Sequence, residues 1–331
     1  MTSRKNEKPS LSLVIPTFNS AKTLEKCLDS IINQNYPHNK REIIIIDGGS
    51  TDKTIEIAKR YKTKIIFNRD TVEEKGRPLG IDNAQGEIIG FIDADNILPK
   101  KNFLEKIVEP FSDREIIISE PLFYSSTKRD NIITKYISLI GGDDPISIYL
   151  GIYDRFCYFK GKWTDSSVTT EENKKNYFKI RLSTYSLPPM GANGSFFRAS
   201  SLRTIDYSPF LHTDIIYKLV KNKMNKVAKV KTGIIHLQIG GFSQFLLKKR
   251  RRIIRLTNNE TARAYKLQIS PSRSIILSLK IILIFPIVFD AVKGFLRNPS
   301  IVWVFHYPLT LLTWLVYAFI LTKYFIKIKW M

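Results

Sequence analysis

Asp93 and Asp95 stand one residue apart at the end of an apolar run, Ile88-Ile89-Gly90-Phe91-Ile92. Such a run suits a buried strand, whereas two carboxylates inside a core are costly unless paired or metal-bound. The strand must stop there and present its end to something. In an open parallel sheet, ligands bind beyond the carboxyl ends of the strands, where carboxylates can hold Mg²⁺ or Mn²⁺ against a diphosphate. Taken alone, the two acids could equally open a turn. Other polar groups also end apolar runs: Thr17 in Pro16-Thr17-Phe18-Asn19, and Asp47 before Gly48-Gly49-Ser50-Thr51-Asp52. Gly76-Arg77 lies in a polar segment, and Asn193 and Gly194 lie in a run of small residues that lets backbone approach a ligand. Asp214 opens a helix predicted over 215–223, where it suits an N-cap as well as acid–base chemistry. His236 ends a late apolar stretch, as a metal ligand or a structural histidine.

These groups need a scaffold. Short apolar runs at 11–15, 42–47, 64–67, 88–92, 115–118 and 226–235 read as strands. A helix capped by Asn19 or Ser20, with Leu24, Leu28, Ile31 and Ile32 inward, follows the first run, and further helices are predicted over 53–61, 81–84 and 99–111. The βαβαβ alternation predicts a parallel sheet with right-handed crossovers, an α/β fold in which the loops after the first two strands and the Asp93 and Asp95 end converge on one crevice. Residues 123–187 are aromatic-rich and weakly periodic, and no element is predicted there.

The formal net charge of +22 points to anionic partners. Only Cys27 and Cys157 are present, which fits a reducing compartment and excludes a cysteine-ligated zinc site. Residues 1–9 are polar, so no signal peptide is predicted. Residues 301–321 carry no charge and match the length of a membrane span, and 275–296 are apolar enough for a second span or an interfacial segment. Between 245 and 256, apolar residues alternate with Lys248, Lys249, Arg250, Arg251, Arg252 and Arg255, which predicts a basic amphipathic helix on anionic headgroups. Basic residues flank both apolar runs, so a multi-pass hairpin with both ends cytoplasmic is expected. The basic residues cluster beside these runs without a recognition motif, which argues against nucleic-acid binding.

Taken together, Val14-Ile15-Pro16-Thr17-Phe18-Asn19, Ile46-Asp47-Gly48-Gly49-Ser50-Thr51-Asp52, Gly76-Arg77, Ile92-Asp93-Ala94-Asp95 and His212-Thr213-Asp214 resemble the family-2 inverting glycosyltransferases of the GT-A fold. The resemblance implies a mostly parallel nucleotide-binding sheet flanked by helices, and a nucleotide-sugar donor, most often a uridine diphosphate sugar, bound with Mg²⁺ or Mn²⁺. It implies that Pro16 and Thr17 border the nucleobase pocket and that Asp47 accepts a hydrogen bond from the base. Arg77, Asn193 and Gly194 would support the donor, Asp93 would face the ribose or assist the metal, Asp95 would ligate the metal, and His236 would be a further ligand. Asp214 would be the general base. Thr213 stands where the family usually has Glu, and Gly48 where it usually has a second acid.

The expected organisation is a catalytic domain over 1–240, a basic interfacial segment over 241–272 and a transmembrane hairpin over 273–331, with the catalytic domain in the cytoplasm. The expected reaction is inverting transfer of a sugar to a membrane-associated acceptor, polyprenyl-linked or a glycolipid. Two alternatives stand beside it. A non-catalytic, membrane-bound nucleotide-sugar binding module is favoured by Thr213 and the charge. A sugar nucleotidyltransferase would need a glycine-rich, Arg-containing loop after the first strand, and Pro16-Thr17-Phe18-Asn19 is not one.

Overall fold

The computed structural model describes residues 7–71, 73–191, 193–257, 263–266 and 270–329. Two compact units are formed, Met1–Leu122 with Ser167–Ile235, and Phe123–Ser166 with His236–Met331. The aromatic-rich segment that lacked a sequence signal is thus divided, and its first part belongs with the C-terminal helices.

The first unit begins with β1 (Leu11–Thr17), α1 (Ala21–Ile32), β2 (Arg41–Asp47), α2 (Thr54–Arg60), β3 (Lys64–Phe67), α3 (Glu73–Asn83) and β4 (Ile88–Phe91). The expected βαβαβ order is present, and β3, β2, β1 and β4 lie side by side, joined by parallel pairs. Parallel pairing puts all their carboxyl ends at one edge. Thr17 is in register with Asp47, and the Ile92 amide, just past β4, still donates to the Val14 carbonyl at 3.1 Å. Strand β1 continues through Pro16, where the sequence suggested a break, because the parallel pairing with β2 carries on to Thr17. The polar stretch around Gly76-Arg77 is already helical, since α3 begins at Glu73 rather than at residue 81. Gly80 lets this helix sit directly on β1: a Cβ there would come within 2.4 Å of the Val14 side chain.

Next come β5 (Asn96–Ile97), α4 (Phe103–Val108) and β6 (Ile116–Tyr124), whose last residues pass into the second unit. There α5 (Ile132–Ile140) and α6 (Pro145–Leu150) follow, before the chain returns with β7 (Thr169–Asn173), β8 (Tyr177–Arg181), β9 (Ser195–Arg198), α7 (Ala199–Leu202), α8 (His212–Lys221) and β10 (Lys226–His236). The sheet order is β3-β2-β1-β4-β9-β6-β10-β8-β7, with β5 on β10. Beyond β4, β9 pairs antiparallel with β4 and β6, and β8 pairs antiparallel with β10 and β7. β1, β4 and the second half of β2 are buried, so they read as continuous apolar runs, whereas β3 is an exposed edge.

In the second unit, α9 (Phe242–Thr257), α10 (Pro271–Leu283), α11 (Phe285–Arg297) and α12 (His306–Lys329) follow. Helix α9 has the expected basic amphipathic pattern, but part of its charge faces protein. Lys249 is buried with its ammonium 3.4 Å from Asp143, and Arg252 lies 3.8 Å from Asp143 and 3.6 Å from Asp144. Lys249 first, against the opposing effect of burial, and then Arg252 and His236 hold the Asp143 carboxyl well below the ordinary carboxylate range. Arg250, Arg251 and Arg255 are exposed. One segment, Ile301–Tyr324, is long and apolar enough to cross a membrane. The second run, expected as a span or an interfacial segment, forms two helices, α10 and α11, bent by 91° at the break between them. The multi-pass hairpin is thus not supported: among the described residues one helix has the length of a span, and a bent pair precedes it.

Candidate functional site

Asp47 closes β2 and shapes the loop that follows. Its Oδ2 accepts from the Gly49 amide at 2.9 Å and the Ser50 amide at 2.8 Å, and its Oδ1 accepts from the Thr17 hydroxyl at 3.0 Å and the Ser50 hydroxyl at 2.6 Å. The carboxylate is 1% exposed. These four donors from the chain itself make Asp47 a tie between the ends of β1 and β2. Phe18, 60% exposed, stands at the lip of this loop.

Asn19 locks the same two loops from the other side. It takes a left-handed backbone, φ +48°, which Asn tolerates better than most residues. Its Oδ1 accepts from the Thr51 amide at 2.9 Å and the Asp52 amide at 3.3 Å, and its own amide donates to the Ser50 hydroxyl at 2.8 Å. Ser20 is the N-cap residue of α1 without capping through its side chain. Asp52, from the neighbouring loop, does that work, accepting from the Ala21 amide at 3.1 Å and from the Thr54 amide at 2.9 Å.

Arg77 and Asp93 form the next contact. The guanidinium, 2% exposed, reaches the Asp93 Oδ1 at 2.9 Å and lies over the Phe210 ring. Asp93 and Asp95 are each partly exposed at the rim, so the acids that end the β4 run do face outward. Buried Asn96 organises them. Its Oδ1 accepts from the Asp93 amide at 3.1 Å, and its Nδ2 donates to Asp95 Oδ1 at 3.3 Å and to Asn193 Oδ1 at 3.4 Å. Asn193 is thereby placed next to the acid pair, and the Gly194 amide donates to the Phe91 carbonyl at the end of β4.

Asp214 is not the N-cap of α8; Leu211 is, and Asp214 sits in the first helical turn, 4% exposed. The helix macrodipole favours a carboxylate there. Two residues earlier, the His212 Nδ1–H donates to the Gly191 carbonyl at 2.7 Å, which joins the small-residue loop to the start of this helix. His236 belongs to the second unit, with its ring 5.9 Å from Tyr124. Among the described residues no three His, Cys, Asp or Glu side chains are grouped to hold a metal ion.

Sequence reasoning passed over Glu120 and Lys229, both fully buried and paired at 2.7 Å. Each is a charge inside an apolar strand run, and that was the available signal, since such residues are almost never buried unless paired.

Residues 12–205 match the family described as Glycosyl transferase family 2. Glycosyltransferase AglE of Haloferax volcanii is 34% identical over 110 residues, 31% of this chain and 36% of that protein. A dolichyl N-acetyl-alpha-D-glucosaminyl phosphate 3-beta-D-2,3-diacetamido-2,3-dideoxy-beta-D-glucuronosyltransferase of Methanococcus voltae is 36% identical over 108 residues, 30% of this chain and 33% of that protein. The chain thus spans about a third of the length of these curated relatives. Among solved structures, the mannosyltransferase PcManGT from Pyrobaculum calidifontis, in complex with GDP-Man and Mn²⁺, aligns over 95% of this chain and 88% of its own, with a TM-score of 0.51 at 14% identity. That likeness concerns the fold, which is of the GT-A type: a mixed α/β sheet whose parallel half carries the loops described above. With the family match running from β1 past β9 and covering every loop of the parallel half, the chain belongs to glycosyl transferase family 2.

Proposed function

We propose that this chain transfers a sugar, with inversion, from a nucleotide diphosphate donor, a uridine diphosphate sugar in the first instance, to a membrane-associated acceptor such as a polyprenyl-linked saccharide or a glycolipid. The observation that carries the reading is the convergence, at the carboxyl edge of β1, β2 and β4, of the Asp47-anchored loop, the Arg77–Asp93 pair, Asp95 and Asn193. The nucleobase would lie against the Thr17 end of β1 and the exposed Phe18 ring, and Arg77 would act through Asp93, which it holds at 2.9 Å.

The donor set at Asp95 and Asp93 suits Mg²⁺ or Mn²⁺. Two partly exposed carboxylates are enough, because such ions commonly take one or two carboxylates and complete their shell with substrate phosphates and water. When bound, the ion would neutralise charge on the departing diphosphate. Asp214 would take the proton of the acceptor hydroxyl as that oxygen attacks the anomeric carbon from the side opposite the diphosphate. The exposed apolar surfaces of α10 and α11 support a bilayer as the place where the acceptor is met.

A panel of radiolabelled nucleotide sugars, incubated with the full chain in lipid vesicles containing polyprenyl phosphates and glycolipids, tests the reading. Label should enter the lipid fraction from one donor and cease on chelation of divalent ions. Donor binding without hydrolysis or transfer by any member of the panel would favour the binding-module alternative.

A further inference from the structure

Glu120 on β6 and Lys229 on β10 lie on neighbouring strands, each with a side chain that is 0% exposed, joined at 2.7 Å. A buried ion pair is weak support for stability by itself, because desolvation offsets the attraction. What distinguishes this one is the use of the second carboxylate oxygen. While Oε2 faces Lys229, Oε1 accepts from the Gly191 amide at 2.6 Å and the Ser195 hydroxyl at 2.5 Å. The carboxylate therefore grips the small-residue loop at two places four residues apart.

The gripped loop reaches both halves of the proposed site. On one side Asn193 receives the Asn96 amide, and Asn96 also bonds Asp95. On the other side the Gly191 carbonyl receives His212, two residues before Asp214. Gly191 and Gly194 themselves take left-handed conformations that favour glycine, with φ +107° and +83°. A Cβ at Gly194 would come within 2.7 Å of Ile234.

We propose that Glu120, with Lys229 fixing its orientation, is a positioning residue that sets the distance between the donor-side Asp95 and the base-side Asp214 through this one loop. The proposal rests on the glycosyl-transfer reading for its kinetic consequence, but its structural half does not need it. Hydrogen exchange over residues 188–196 reads the loop directly, whether or not a donor is turned over. Ser195→Ala removes one grip and leaves the ion pair intact, while Lys229→Met removes the orienting charge. Both should speed exchange in that segment, and in Ser195→Ala the strands β6 and β10 should keep wild-type protection. In both, kcat should fall by about 10–100-fold, as a displacement on the order of 1 Å can produce, with the KM for donor unchanged.

Charge reversal, Glu120→Lys with Lys229→Glu, separates positioning from simple pairing. An ammonium cannot accept from an amide, so melting temperature should recover relative to Lys229→Met while kcat does not. Wild-type exchange over 188–196 in both Ser195→Ala and Lys229→Met would overturn the proposal. So would recovery of kcat in the reversed pair. A wild-type chain that turns over no nucleotide sugar would defeat the functional reading instead, and the exchange comparison would still judge the loop.

Discussion

Among the single residues, Asp47 and Asp214 carry the sharpest expectations. Asp47 is satisfied by four donors of its own chain and is buried, so its first duty is to the loop. Asp47→Ala should lower folding stability by about 3 kcal/mol, the cost of leaving several buried donors without an acceptor, and chemical denaturation measures it. A variant that loses nucleotide affinity with unchanged stability would return Asp47 to the base-binding role. For Asp214→Asn, kcat should fall by about 10²–10⁴-fold with donor affinity kept, which steady-state kinetics and calorimetry together check. A small effect would point to an acceptor already ionised, such as a phosphate. The placing of Asp47, Asp93 and Asp95 at strand ends was legible in the sequence because they close apolar runs, as Asp95 does after Ile88-Ile89-Gly90-Phe91-Ile92. Their partners were not. Asn19 meets Thr51 across 32 residues and Glu120 meets Lys229 across 109, and no local periodicity encodes such pairings.

At the scale of elements, the ends of α1 and α2 are held by a neighbouring loop rather than by their own caps. Asp52 accepts from Ala21 and Thr54, and Asp52→Ala should cost about 1–2 kcal/mol, in the range of a lost helix cap. Burial pushes the Asp52 carboxyl up, but the hydroxyl and amide of Thr54 and the amide of Ala21 together hold it below the ordinary range. With its folded value depressed, its contribution is present above the unfolded carboxylate range and is lost as pH falls through the folded one. Acid-denaturation curves of wild type and Asp52→Asn should therefore converge at low pH and separate near neutrality; a constant gap would contradict this role. β1, β2 and β4 could be read from the sequence because burial leaves continuous apolar runs. Helix α3 could not, because Gly76, Pro78 and Gly80 weaken its local signal while packing against β1 and β2 sustains it. The elements between 123 and 187 were hidden for a related reason, since their aromatic residues pack in local clusters such as Phe123 with Phe156 and Tyr149 with Phe159.

For the molecule as a whole, the C-terminal helices are where the proposed contact with a bilayer would be made. Helices α10 and α11 are 13 residues each, about 20 Å long, too short to cross a hydrocarbon core of about 30 Å singly. Their bend exposes Leu283 and, at 82%, Phe285, while Arg273 and Arg297 at the far ends bond backbone carbonyls of Leu150 and Phe159. If the bent pair dips into one leaflet and returns, α12 alone would cross. In vesicles, a cysteine at Phe285 should be shielded from water-soluble reagents, and a C-terminal tag should face the side opposite residues preceding α10. A tag on the same side would restore the two-span hairpin expected from composition. Glycosyl transfer at such a surface is the central claim, and Asp95 is where it is most exposed to failure. The most direct measurement is release of nucleoside diphosphate from a sugar donor by the full chain in lipid, with Mg²⁺ or Mn²⁺, for wild type and Asp95→Ala. Release that depends on the ion and falls to background in Asp95→Ala is the predicted result; release at the wild-type rate in that variant, or release indifferent to chelation, would contradict it.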